Sequence, residues 1–561
     1  MTAAAAHGSG PNDVDGCPPR IQIVASPDAR QVDFTPLREY AAKAAPLDPV
    51  SVADLLRNAF VYPPHTIYRD VKLAISGFDP AQDLHAEPQF HFLYQSSSAP
   101  ARPRMDAVDN ELLLKIYHGL VCDAIARSSA GMKSPWLLQS GGKDSTSMAI
   151  ALAEARPQAT CITYLGGREE DEIDSARFVA HQLGLRHEVL ICDPGRAYDR
   201  YLDMVPQMPL LTADFAMLSY ADLVTEIAAS GGDGVLDALG SDSYFGMPIH
   251  WRQRLKALLA RRLRLPHDMV DSSLVSHNFR LSYVLGTLQM DGFERSFPGS
   301  RFSDVEVDAL FGYPIASRSR ERLELFRSDI AAAKTMEARR RIAATIVEAA
   351  TFGKGMYTAS ALSLQLAYPN CDARLCDWIF HEVPDALLIG PGGVNKVLVR
   401  QHIAKQFRKL PYVQAKGCFR FDLCGLARQR FDQVHAFAVA GRALLPGASH
   451  WLETHRHRLG NKYFASKFYL LAITLPWLLS RMQHTDSPSR CHPGEARDAV
   501  RPGADAMVDH ASHHASSTAS SRPFTALPAM GTRLRGQPDA SGTHSCDPRY
   551  WPLPAFPQVL A

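Results

Sequence analysis

Residues 136–152 read "WLLQSGGKDSTSMAIAL": a short apolar run, a turn with two glycines, then a helix-like run. The left part reads as a buried strand and the right part as a helix. In an open parallel sheet, ligands sit outside the carboxyl ends of the strands, and "SGGKDS" occupies such an end. Gly141 and Gly142 let backbone approach a ligand with no Cβ in the way. The helix start offers N–H groups and a positive dipole end. Ser140 and Ser145 can donate hydroxyl hydrogen bonds, and Asp144 could hold a magnesium ion bridging phosphate oxygens. A glycine pair alone would favour a plain connecting turn. Strand context, flanking serines and the aspartate shift the reading to phosphate or pyrophosphate binding. Neither GxxxxGK[ST] nor GxGxxG is present.

The pattern continues outward from that turn. "DNELLLKIYHGLVCDAIARSS" precedes it with helical spacing. "ATCITYL" (strand), "DEIDSARFVAHQLGL" (helix), "HEVLICD" (strand), "FAMLSYADLVTEIAAS" (helix) and "GVLDAL" (strand) follow it. Strands alternating with helices predict right-handed crossovers and a parallel sheet covered on both faces. The fold class expected is therefore α/β, a doubly wound parallel sheet with a helical C-terminal extension and a small N-terminal domain. Residues 1–20 and 484–561 read as disordered, 95–104 as a linker, 21–104 as the small domain and 105–483 as the main one. The basic runs "RQRLKALLARRLR" and "EARRRIAA" read as solvated helix faces.

With 561 residues, 46% of them hydrophobic, the chain can build two or three cores. Sixty Lys and Arg against 58 Asp and Glu leave a net charge of +2, which argues against a dedicated nucleic-acid binder. Ten cysteines lack CxxC spacing, and Cys371/Cys376 and Cys418/Cys424 do not read as zinc knuckles; reduced thiols in a cytoplasmic protein are expected. No secretory signal opens the chain. "FYLLAITLPWLL" (468–479) is too short to span a bilayer and contains Pro476, so a buried helix and no membrane partner are expected.

"SGGKDS" is similar to the SGGxDS loop of the ATP pyrophosphatases, and its surroundings resemble the synthetase domain of asparagine synthetases. Residues 171–189 follow that family's DE…A..vA..lg..H pattern, with His187 at a position expected to pack structurally. "VLDALGSDSYFGMP" (235–248) resembles GxGsDExFGGY, "SLQLAYPNCD" (363–372) resembles SlEaRvPFLD, and "GGVNKVLVR" (392–400) resembles K..LR. The four blocks stand in order and cover about 106–415. The resemblance implies ATP and Mg²⁺ as cofactors. Ser140, Gly141, Gly142, Asp144 and Ser145 would cradle the phosphates, and backbone at Leu138 and Leu165 would face adenine. Asp144 and Asp242 would hold the metal, with Gly240 and Ser241 beside it. Lys396 would stabilise charge on the reacting phosphate and acyl centre.

Leu239, Ser243, Met247, Gln365 and Ala367 depart from the family at positions that the resemblance assigns to the acceptor side of the pocket. Met1 is followed by Thr2 where glutamine-dependent members carry Cys, although "YPPHTIYRDVKLAISGFD" (62–79) resembles the end of their glutaminase domain. A truncated glutaminase remnant is therefore implied. The expected activity is an AMP- and pyrophosphate-forming amide ligase that joins a small-molecule carboxylate to ammonia or an amine. A peptide or small-molecule cyclase of the lasso-peptide or β-lactam type, and an inactive relative, stay open. An RNA-modifying enzyme ranks last.

Overall fold

The computed structural model describes residues 21–25, 32–41, 45–81, 88–90, 109–166, 170–246, 248, 265, 273–290, 294–296, 301–333, 335–408, 411 and 421–482. The expectations for 1–20, 95–104, 247, 252–264 and 484–561 lie outside the described residues.

Strand β1 (Ile21–Val24) pairs in parallel with β2 (Val71–Ala74), and helix α1 (Pro49–Asn58) stands between them in sequence. Asp48 caps α1 by accepting the Val50 N–H, Pro49 fits the first helical position, and Ala59 closes the helix in the left-handed region. Helix α2 (Asn110–Ser128) leads into the main sheet. Its strands are β3 (Pro135–Leu138), β4 (Thr160–Leu165), β5 (Arg186–Ile191), β6 (Gly234–Asp237) and β7 (Gln365–Ala367). The order is β5-β4-β3-β6-β7 and every pairing is parallel.

Side chains alternate across that sheet. Trp136, Leu138, Ile162 and Val235 enter one core, while Leu137, Cys161 and Leu236 enter another. The second core is completed by α2, α3 (Lys143–Ala155), α4 (Glu170–Gln182) and, from later in the chain, Leu398 and Ile403. The first is completed by α5 (Pro194–Met204) and α6 (Met217–Ala229). Both faces are covered, so the fold is the expected doubly wound α/β sheet with a helical extension.

The extension includes α7 (Met336–Thr351), α8 (Val397–Gln406) and α9 (Lys462–Met482). Helix α9 is buried along most of its length, as the apolar run predicts, and no helix among the described residues is long and apolar enough to cross a membrane. Pro476 sits inside α9 and has no N–H to give the Ala472 carbonyl one turn back. The Tyr198 hydroxyl of α5 donates to that carbonyl at 3.0 Å instead. Residues of 21–75 share the first core with α9, and Tyr68 packs its ring 5.8 Å from Trp477. Buried ions join this segment to the later helices: Arg57 pairs with Glu294 at 2.5 Å and Asp304 at 3.0 Å, and Arg322 pairs with Asp54 at 2.5 Å.

Candidate active site

After β3 the chain builds outward to β4 and β5, then returns to place β6 on the other side of β3. That reversal opens a crevice at the carboxyl ends of β3 and β6, where Leu138 and Asp237 are register partners. The loop after β3 carries Ser140–Ser145 and the loop after β6 carries Gly240–Asp242.

The first loop is braced by its own serines. The Ser145 hydroxyl donates to the Ser140 carbonyl at 2.9 Å and accepts the Ser140 N–H at 3.2 Å; Gly142 N–H donates to Ser140 Oγ at 3.2 Å. Gly142 is the N-cap of α3 and no side chain caps that end, which leaves a positive helix terminus aimed out of the sheet.

Lys396 arrives from a hairpin, Ile389–Gly390 against Val394–Asn395, turned by Gly392 and Gly393 at φ of 70° and 76°. It adopts φ 53°, a left-handed conformation that is costly for a side chain of this size, immediately before α8. Its ammonium, 1% exposed, lies 2.9 Å from Asp144 Oδ1 and 2.7 Å from Asp242 Oδ1, and donates to Ser241 Oγ at 2.6 Å. Burial pulls its pKa down, but Asp144 and Asp242 outweigh burial and hold it above the ordinary lysine value. Three sequence blocks thus converge on one cation.

The remaining block packs behind the second loop. Asn370 Nδ2 donates to the Ala238 carbonyl at 2.8 Å, and Tyr244 OH donates to the Asn370 carbonyl at 2.9 Å. Gly240 has φ +99°, and a Cβ there would lie 2.1 Å from Cys371 Sγ, so this turn admits only glycine. Asp237, fully buried, accepts from Tyr220 OH and from Leu239 N–H at 3.2 Å; burial raises its pKa, opposed by Tyr220 and the nearby Lys354.

Leu138 and Leu165 end the adjacent strands β3 and β4, Leu138 two positions before Ser140. His187 shares a 2.8 Å hydrogen bond with Thr163 Oγ1, and burial, then Arg177, pushes its pKa down to about 4; this is the packing role expected for it. Gln365 requires a correction. Gln365 pairs with Gly234, at the amino end of the sheet, roughly 10 Å along β6 from Asp237. Its position does not border the crevice loops as the resemblance implied, whereas Ala367, beside Leu236, stands one position short of Asp237 at the carboxyl end.

Sequence reasoning missed Glu348. It lies on α7 and is buried, and its Oε1 accepts the Asp242 N–H at 3.0 Å. Burial, reinforced by the Asp242 charge, pushes its carboxyl up to about 8 against the pull of Ser243 and Lys396. It places a carboxyl beside Ser243, where the family pattern has glutamate. The signal was present: Glu348 is flanked by Ile346, Val347, Ala349 and Ala350, an apolar setting unlike a solvated helix face. The basic run on the same helix is also no solvated face. Arg340 is buried and donates to the Pro248 carbonyl at 3.0 Å, and Arg341 donates to the Tyr244 carbonyl at 3.1 Å.

Two carboxylates from separate loops, a lysine between them and an uncapped helix start are the groups that could hold a polyanion accompanied by a hard cation. Asp144 and Asp242 offer the oxygen donors that Mg²⁺ prefers. The family model for asparagine synthase matches residues 121–412, more than half of the chain, and the protein belongs to that family. No curated protein matches the chain.

Proposed function

We propose that the protein is an ATP-dependent amide ligase that activates a carboxylate as an acyl-adenylate. The observation that carries this reading is the meeting of Asp144, Lys396 and Asp242, from three loops, at the reversal of the sheet.

A carboxylate oxygen bonds to the α-phosphorus of ATP while the bridge to the β-phosphate breaks, and pyrophosphate leaves with the electron pair. An amine nitrogen then attacks the acyl carbon, the bond to AMP breaks, and the nitrogen sheds a proton. In the first step Ser140, Ser145 and the start of α3 hold phosphate oxygens, and Lys396 stabilises the charge that develops on them. Bound Mg²⁺, held by Asp144 and Asp242, would supply charge neutralisation and phosphate alignment. In the second step Glu348, the acid beside Ser243, in its ionised form would take that proton.

The changed positions Leu239 and Ser243 favour a specialised acceptor over plain aspartate. Free ammonia or a substrate amine is the nucleophile in this reading. No nucleic-acid or membrane partner enters this reading, and the location proposed is cytoplasmic. The test is release of labelled AMP from α-labelled ATP with Mg²⁺, aspartate and ammonium, beside Asp144→Ala. AMP together with asparagine, both lost in the variant, identifies an ammonia-dependent asparagine synthetase. Tight ATP binding without AMP removes aspartate and directs the search to internal or peptide amines. ATP binding without turnover across a broad acceptor panel would make the chain an inactive relative.

A further inference from the structure

His118 and Cys122 stand one turn apart on the same face of α2. Glu154, near the end of α3, meets them: His118 Nε2 lies 2.8 Å from Glu154 Oε2 and 3.5 Å from Cys122 Sγ. Among the described residues, this is the one group of three His, Cys or acidic side chains whose donor atoms lie within 4.8 Å of one another. Behind His118, its Nδ1 shares a 3.0 Å hydrogen bond with Nε2 of His402 on α8, and His402 Nδ1 shares one of 2.9 Å with Ser147 Oγ on α3. A cleft of about 480 Å³, lined by His118, His402, Lys115 and Lys405, reaches the cluster at His118. None of the phosphate-loop residues borders that cleft.

We propose that His118, Cys122 and Glu154 form a zinc site, with one coordination position open to the cleft. Zinc bonds of about 2.0–2.3 Å in tetrahedral geometry separate ligand atoms by about 3.3–3.7 Å. The His118–Cys122 separation already fits, and the exposed Glu154 side chain has room to open its own contact with His118. Thiolate and imidazole select zinc over magnesium, which makes the site chemically distinct from Asp144 and Asp242.

The second layer is in place as well. A cation on His118 Nε2 fixes one direction of the chain: His118 Nδ1–H donates to His402, and His402 Nδ1–H donates to Ser147. The site would therefore pin together α2, α3 and α8. Asp144 opens one of these helices, and Lys396 immediately precedes another.

The test uses tag-free full-length protein. Cobalt titrated into the metal-free chain should give a thiolate-to-cobalt charge-transfer band that saturates at about one equivalent, as for a three-ligand protein site. Cys122→Ser should abolish the band. His402→Gln should weaken cobalt affinity roughly 10- to 100-fold, as loss of an outer-shell partner does. His435→Asn removes another His–Glu pair, 3.0 Å apart and similarly exposed, and should change nothing. Asp144→Ala should leave the thiolate-to-cobalt band intact, so failure of the ligase reading and failure of the zinc reading are separable. Anomalous scattering at the zinc edge from the unmodified protein needs no variant and should place a metal on these three side chains. A band that is absent or that survives Cys122→Ser, or a zinc peak elsewhere only, overturns the proposal and leaves an ordinary His–Glu surface pair.

Discussion

Glu348 Oε1 accepts the backbone N–H of Asp242 at 3.0 Å, across 106 positions of sequence. The bond anchors the loop that presents Asp242 to Lys396, and it leaves the carboxyl facing the side of the site where Ser243 replaces an acid. Glu348→Gln keeps an acceptor oxygen for the N–H but cannot take a proton. Pyrophosphate exchange into ATP should survive, while amide formation falls roughly 100-fold, the range of lost general-base help. Equal loss of both partial reactions would assign Glu348 to loop support alone.

Gly240→Ala places a Cβ against Cys371 Sγ and forces alanine to φ +99°. The expected cost is about 2–4 kcal/mol, combining overpacking with a disfavoured backbone. Adding Cys371→Ala should recover the steric share and leave the conformational share. Thermal midpoints of the two variants measure both; full recovery would mean that the backbone conformation costs nothing.

Asp54 is fully buried, and burial lifts its carboxyl to about 6 despite Arg322, Ser319 and Arg57. The folded state therefore holds this proton more tightly than the unfolded chain does. Its contribution to stability is complete below about pH 4 and is lost as pH rises through about 6. The stability difference between wild type and Asp54→Asn should shrink across that window by on the order of 2–3 kcal/mol. Denaturation profiles at pH 4.5, 5.5 and 6.5 give the comparison; parallel profiles would contradict it.

Tyr198 and Pro476 form a donor-for-donor exchange. Tyr198→Phe should cost about 1–2 kcal/mol by leaving the Ala472 carbonyl buried without its donor. Pro476→Ala restores a helical N–H, so the double variant should be less destabilised than the sum of the single changes. Simple additivity in a thermal double-mutant cycle would show that the Ala472 carbonyl does not depend on Tyr198.

The sheet was legible because its elements are written locally. "WLLQS", "ATCITYL" and "HEVLICD" are apolar runs bounded by turns, and each became a strand within a residue or two of its expected limits. The phosphate loop, Asp242 and Lys396 were legible as blocks whose order could be matched. Glu348 was not, because its role depends on tertiary approach: nothing local to α7 says which strand end the helix will cross. Gln365 misled for the same reason. Its neighbours match a pattern, but the register with Gly234 decides which end of the sheet it occupies. Arg340 and Arg341 read as solvated since charge composition is blind to a carbonyl waiting on another segment.

The cation that reconciles Asp144 with Asp242 comes from residue 396, more than 150 positions after the second aspartate. During synthesis, the sheet's central strands and both acidic loops leave the ribosome well before the lysine that neutralises them. A nascent chain ending near residue 380 would hold two carboxylates facing one another without their counter-ion. The charge balance between the two acidic loops is therefore completed only after residue 396 has been translated.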